Sequence, residues 1–121
     1  MLARTVAATI ALLAVTPALA ADVEAGSKVF KSQCATCHSP TAGKNLIGPS
    51  LAGIVGRKAG TVPGFRYSAA NKGSGVTWDE KTLEAYLPNP RAFIPNTTMT
   101  FAGIKNDTQR ADLIAYLATL K

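Results

Sequence analysis

Few residues in this 121-residue chain can hold a metal or a prosthetic group. There is one histidine, His38, and there are two cysteines, Cys34 and Cys37. A zinc site would need two further Cys or His ligands, and the chain has none left. A disulfide between cysteines so close would close almost no loop. No βαβ pattern surrounds the pair, as a thioredoxin-like redox motif would require. The chain also lacks a dense basic run, because its 13 Lys and Arg residues are scattered, which argues against a nucleic-acid arm. No internal repeat occurs and strand signals are weak. The one sustained apolar run, Thr5 to Val15, is short for a membrane span.

What is present is the stretch Cys34-Ala35-Thr36-Cys37-His38. The pattern C-x-x-C-H is the attachment signature of a c-type haem. Two thiols three residues apart, on one turn, can add to the two vinyl groups of one porphyrin. The adjoining imidazole then lies under the iron as a fifth ligand.

The first twenty residues read as a leader. Met1 to Arg4 is a short basic start, the small apolar run follows, and Ala18-Leu19-Ala20 is an A-x-A cleavage signal. Removal of residues 1–20 leaves one small domain, 21–121, and takes away Arg4, so the formal charge falls from +6 to +5. A core of that size is marginal alone. A covalently held haem would add a large apolar plate to pack on. The scattered positive charge suits steering toward an acidic protein partner.

Along the domain, Asp22 is placed to cap a helix from about Val23, with Glu24 in its first turn. Gly26, Phe30 and Cys34 share one face of that helix, and the glycine permits close approach by another helix. From Ser39 to Gly64 glycine and proline recur, which predicts a loop-rich segment wrapping the prosthetic group. A backbone carbonyl within Gly48-Pro49-Ser50-Leu51 is positioned to accept the second imidazole N–H of His38. Ser68 caps a short helix over Ala69–Asn71. Thr77-Trp78-Asp79-Glu80 reads as an S/T-x-x-E capping box opening a helix to about Leu87. Pro88 and Pro90 stop it, and Arg91-Ala92-Phe93 adds a turn. Asn106, with Gln109 three residues on, opens a last helix to near Leu120. Its Leu113, Tyr116, Leu117 and Leu120 form a stripe aimed at the Gly26–Phe30 face. Without Met1, Met99 is the only methionine, and it lies in a loop. Thioether is a favoured sixth ligand of an electron-transfer haem, the alternative being a core methionine.

With these residues placed, the sequence resembles class I cytochrome c, especially the mitochondrial type and its soluble bacterial relatives. The specific pieces are Gly26…Phe30, Cys34 to His38, Gly48-Pro49, Gly56-Arg57-Lys58, Pro63 to Tyr67, Thr77-Trp78, Tyr86-Leu87, Ile94-Pro95, Thr97, Met99, Phe101 to Lys105 and Asp112 to Leu117. The resemblance implies an all-α cytochrome c fold, with crossed N- and C-terminal helices around one haem c. It implies His38 and Met99 as axial ligands and the Pro49 carbonyl as the His38 acceptor. It places Arg57, Tyr67, Trp78 and Thr97 at the haem propionates. It places Asn71, Tyr86 and Thr97 in a polar network on the methionine side. Read from the residues alone, Trp78 and Tyr86 pack helices, while Arg57 and Tyr67 could equally be surface loop residues; only the resemblance moves them inward.

The chain departs from the family pattern where Pro95-Asn96-Thr97-Thr98-Met99 replaces Pro-Gly-Thr-Lys-Met. It departs again at Gln33, Arg91 and Ala92, where mitochondrial relatives carry lysines. Asn96 still tolerates a left-handed backbone. The resemblance implies a monomeric periplasmic one-electron carrier that is not itself an enzyme. Its haem edge beside Cys37 would meet redox partners through Lys28, Lys44, Arg91 and Lys105. Those partners would be a cytochrome bc complex and a terminal oxidase or photosynthetic reaction centre, with a periplasmic dehydrogenase as another donor. The rival is a haem c enzyme or gas sensor, peroxidase-like, with an open sixth site. That reading requires Met99 to be off the iron.

Overall fold

The computed structural model describes residue 11 and residues 20–121. The leader expected over residues 1–20 therefore falls almost wholly outside the described residues. Five helices follow in order: α1 (Val23–Gln33), α2 (Ala69–Lys72), α3 (Glu80–Tyr86), α4 (Pro90–Phe93) and α5 (Asp107–Thr119). The only β pairing among the described residues is an isolated bridge between Lys58 and Thr77. The fold is all-α.

Local chemistry sets the helix ends. The Asp22 side chain accepts from the Ala25 amide and caps α1, with Glu24 in the first turn. Asn106 does the same for α5 through the Gln109 amide at 2.9 Å. Ser68 caps α2, and Asn89 caps α4 with Pro90 at its first position, where a missing N–H costs nothing. The start of α3 differs from the sequence expectation. Thr77 and Glu80 form no box; Asp79 is the N-cap, and it exchanges bonds with Thr82 at 2.7 and 2.8 Å. The cause lies outside the helix. The Trp78 amide donates to the Arg57 carbonyl and the Gly56 amide to the Trp78 carbonyl, so residues 77–78 are held extended. The helix can begin only after them. Thr82 hydrogen bonds hold the Asp79 carboxyl below the usual range.

Helix α1 packs on α5 through Gly26. A β-carbon there would collide with the Asp112 backbone carbonyl and come within 2.9 Å of Tyr116 Cβ. The absent side chain lets the backbones approach. One turn on, Phe30 and Tyr116 rings meet at 5.4 Å and 56°. Leu113 is completely buried, and Leu117 and Ile114 nearly so. Burying each such side chain contributes about 1.5–3 kcal/mol. Helix α3 lays Leu83 and Tyr86 against the same core.

No helix lies between Gln33 and Ala69. That long loop satisfies its own polar groups. Asn45 accepts from the Ser50 amide at 2.9 Å and donates to the Pro63 carbonyl at 3.2 Å, while Ser50 donates to Thr41 at 2.7 Å. A buried arginine, invisible to periodicity, ties the other side. Arg110 of α5 bonds Glu84 of α3 through Nε and Nη2 at 2.8 and 2.6 Å and donates to the Ile104 carbonyl at 3.2 Å. Pairing and hydrogen bonding of this kind make a buried charge tolerable.

Candidate functional site

The helices and the long loop enclose a cavity of about 390 Å³. Most of its wall is apolar, including Leu51, Ile54, Leu83, Leu87, Leu113 and Leu117. Every residue expected to bind the cofactor reaches this wall: Cys34, Cys37, His38, Pro49, Arg57, Tyr67, Asn71, Trp78, Tyr86, Thr97 and Met99. The expected docking charges Lys28, Lys44, Arg91 and Lys105 do not line it.

Helix α1 gives out where the motif begins. Cys34 is its C-cap, donating its amide to the Phe30 carbonyl, and a turn carries the chain through Cys37 to His38. Both cysteine side chains are half-buried at the cavity. Burial, and then the neighbouring Cys37, push the Cys34 thiol up to about 11. The free thiol therefore stays protonated at neutral pH and is a poor nucleophile until used.

His38 Nδ1 lies 2.7 Å from the Pro49 carbonyl oxygen. A carbonyl only accepts, so Nδ1 carries the hydrogen and Nε2 keeps its lone pair. Burial lowers the His38 pKa, the Pro49 bond opposes it, and the Arg57 charge lowers it further. The ring is neutral, as a metal ligand must be. Gly48 lets the carbonyl come this near: a β-carbon there would collide with the imidazole, 2.7 Å from Nδ1. The Gly48 amide in turn donates to Cys37 at 2.7 Å, locking the loop to the motif.

Met99 sits on a strap between α4 and α5. Asn96 turns that strap with φ of 65°, a left-handed geometry asparagine tolerates better than most residues. The Met99 amide bonds Thr97 Oγ1 at 3.3 Å, and the Tyr86 hydroxyl donates to Met99 Sδ at 3.5 Å. Burial raises Tyr86 to about 12. Its ring packs on Trp78 at 4.6 Å, tilted by 56°, and meets Phe93 edge-on at 5.8 Å, which fixes the hydroxyl's aim.

Arg57 and Tyr67 are half-buried cavity residues rather than surface ones. Arg57 Nη1 donates to the Ala52 carbonyl at 3.1 Å, and the Tyr67 hydroxyl accepts from the Val62 amide at 3.0 Å. The Asn71 side-chain oxygen is buried at the cavity with no hydrogen-bond partner. A buried orphan acceptor facing a cavity calls for a group from outside the chain.

A family model described as Cytochrome c matches residues 23–121. The chain belongs to the cytochrome c family. Cytochrome c2 of Rhodoplanes tepidamans is 55% identical over 98 residues, covering 80% of this chain and 91% of that protein. Cytochrome c of Euglena viridis is 48% identical over 100 residues, 83% of this chain and 98% of that protein. Cytochrome c type-1 of Ascaris suum is 53% identical over 96 residues, 79% and 86% respectively.

The family's cofactor is haem c, bound covalently, and Cys34 and Cys37 supply the two thioether sulfurs. The lining residues fit it. The wall is apolar, the thiols sit together, and a neutral imidazole and a thioether line the same cavity. Sequence reading missed Ile47, which lines the cavity mouth while 76% exposed. It also missed Phe65 and Phe101, cavity residues carried by loops, where no periodicity marks an inward face.

Proposed function

We propose that the mature chain, residues 21–121, is a one-electron carrier with His38 and Met99 as axial ligands. Bound haem c supplies an iron that alternates between ferric and ferrous. The remaining work belongs to the polypeptide. The Pro49 carbonyl fixes the His38 tautomer and leaves Nε2 as the donor atom. Tyr86 orients Met99 Sδ by donating to it, and the thioether raises the potential. Trp78, Leu83 and Leu113 keep water out, which holds down the reorganisation that each electron transfer requires. Arg57, Tyr67, Trp78 and Thr97 are assigned to the propionates, and Asn71 with Tyr86 and Thr97 to the polar side of Met99.

The observation that carries this reading is that two pre-oriented donor atoms, His38 Nε2 and Met99 Sδ, belong to one cavity wall. With His38 and Met99 both holding the iron, no site would remain on it for a substrate, so the chain would act as a carrier and not as an enzyme. Export by the leader with cleavage after Ala20 gives a periplasmic protein. Support comes from the A-x-A signal and the cytochrome c2 relative, and among the described residues no helix can cross a membrane. Acidic-faced redox proteins, a cytochrome bc complex and a terminal oxidase or reaction centre, are the assigned partners.

The test is the ferric absorption spectrum of the haem-loaded protein. A Met–Fe charge-transfer band supports the carrier. High-spin features at neutral pH would instead establish the peroxidase-like or gas-sensing alternative with an open sixth site.

A further inference from the structure

The strap that carries Met99 is held to the body by surprisingly little backbone. The Thr97 amide reaches the Ile94 carbonyl at 3.3 Å, and the next backbone bond from the strap is Ile104 to Leu87 at 2.8 Å. Between them, no backbone amide of Thr98 to Gly103 donates to a backbone carbonyl among the described bonds, and the Met99 amide reaches only the Thr97 hydroxyl. Two exposed cations fill the gap. Arg91 of α4 donates through Nη2 to the Thr100 carbonyl at 3.0 Å. Lys105 Nζ donates to the Pro88 carbonyl at the end of α3, and to the Ala102 carbonyl at 3.4 Å. Neither cation has a carboxylate partner among the described salt bridges.

The two anchors start from rigid ground. Pro90, beside Arg91, is one of the most deeply buried side chains of the molecule, and Phe93 packs against Trp78 and Tyr86. On the other side, Gly103 runs against Pro88, 2.7 Å from its carbonyl carbon to where a β-carbon would stand. Arg91 therefore ties the residue next to Met99 to a fixed helix. Lys105 joins the far end of the strap to Pro88, in the turn between α3 and α4. A guanidinium or ammonium on a carbonyl is a charge-assisted bond, stronger than a neutral one.

We propose that Arg91 and Lys105 are positioning residues that latch the Met99 strap closed. This rests on the reading of Met99 as a ligand and goes beyond it. Two cations that the sequence offered as docking charges have a second task, to set how often the strap lifts and exposes the metal side of the cavity. Neither lines the cavity; they act through Thr100, Ala102 and Pro88.

The experiment uses ferric, haem-loaded protein at neutral pH, with Arg91→Leu, Lys105→Leu, Arg91→Lys and a control, Lys44→Leu, whose charge lies on the long loop. Two quantities are read. One is the rate at which added imidazole abolishes the Met–Fe band, which requires the strap to open. The other is amide hydrogen exchange over residues 98–104. Loss of one charge-assisted bond is expected to speed both by about tenfold in each Leu variant. Arg91→Lys, which keeps a donor, should return toward wild type, and Lys44→Leu should match it. The midpoint of global unfolding should stay near that of wild type, because both side chains are exposed.

Unchanged imidazole entry and strap exchange in both Leu variants would overturn the latch. So would an equal acceleration by Lys44→Leu, which would mark a general charge effect, or a fall in the global midpoint that accounts for the faster exchange. A wild type with no Met–Fe band would instead sink the reading of Met99, and strap exchange would still decide the latch.

Discussion

The Tyr86 hydroxyl donates to Met99 Sδ across 3.5 Å, and burial holds that hydroxyl protonated to about pH 12. With Met99 as the proposed iron ligand, a donor on the thioether would draw electron density from sulfur and weaken its support of the ferric state more than of the ferrous. Tyr86→Phe should therefore lower the reduction potential while keeping the Met–Fe band, measured by redox titration. The raised pKa also sets a pH dependence. The unfolded phenol ionises near 10.0 and the folded one near 12, so stability present below pH 10 is lost as pH rises through that window. The shift corresponds to roughly 2–3 kcal/mol. Denaturant unfolding of wild type minus Tyr86→Phe between those limits isolates it, and parallel curves would refute it.

Met99→Ala should keep the covalent haem, because attachment depends on Cys34 and Cys37. It should open the sixth position, lower the potential and confer peroxidase activity. The ferric spectrum reads this directly. An unchanged low-spin spectrum with the Met band intact would reject Met99 as ligand.

Gly26→Ala should destabilise the fold. The new methyl meets the Asp112 backbone, which cannot swing aside as a side chain end would. Forcing α1 and α5 apart should cost about 1–3 kcal/mol. A chemical denaturation midpoint equal to that of wild type would show that the helices do not pack this closely.

Electron transfer to an acidic partner should slow as salt rises, since the positive field is screened over ~8 Å at physiological ionic strength. The slope should be shallow beside that of lysine-rich mitochondrial relatives, because Gln33, Ala92 and Thr98 carry no charge and Arg91 and Lys105 are engaged on the strap. Second-order rates with a purified oxidase test this. A steady rise with salt would exclude electrostatic docking by this face.

In alkali, exchange of Met99 for a lysine should be hard. Arg91 carries a guanidinium in place of an amine, and Ala92 and Thr98 offer no amine either. Lys105 is the nearest lysine after Met99, and its Nζ is committed to Pro88 and Ala102. The Met–Fe band of the ferric protein should survive to higher pH than in Thr98→Lys. Loss of the band at one pH in both proteins, with a lysine-ligated product in the wild type, would show that the missing loop lysines do not control the switch.

Much of this was legible in the chain because it is local chemistry. Asp22, Ser68 and Asn106 cap the helices expected of them, since a cap depends only on an oxygen and an amide two or three residues on. C-x-x-C-H names its cofactor because both thioethers and the imidazole must come from one turn. Spacing also put Gly26 and Phe30 on one face, and the stripe from Leu113 to Leu117 is the face that meets them.

Other features arise only when distant segments meet. Asp79 takes the cap of α3 from Thr77 because the Arg57 and Gly56 backbones, some twenty residues away, hold Trp78 extended. Arg57 and Tyr67 line the cavity in a loop held by Arg57 to Ala52, Tyr67 to Val62 and Asn45 to Pro63, and no periodic signal marks that inward face. Arg110 is buried because Glu84 of another helix reaches it. The Tyr86 hydroxyl finds Met99, and Arg91 finds Thr100, across turns set by Asn89, Pro90 and Asn96. Sequence decided which bonds each residue can make; tertiary structure decided which partners come within hydrogen-bond reach, because that depends on where the whole chain has brought them.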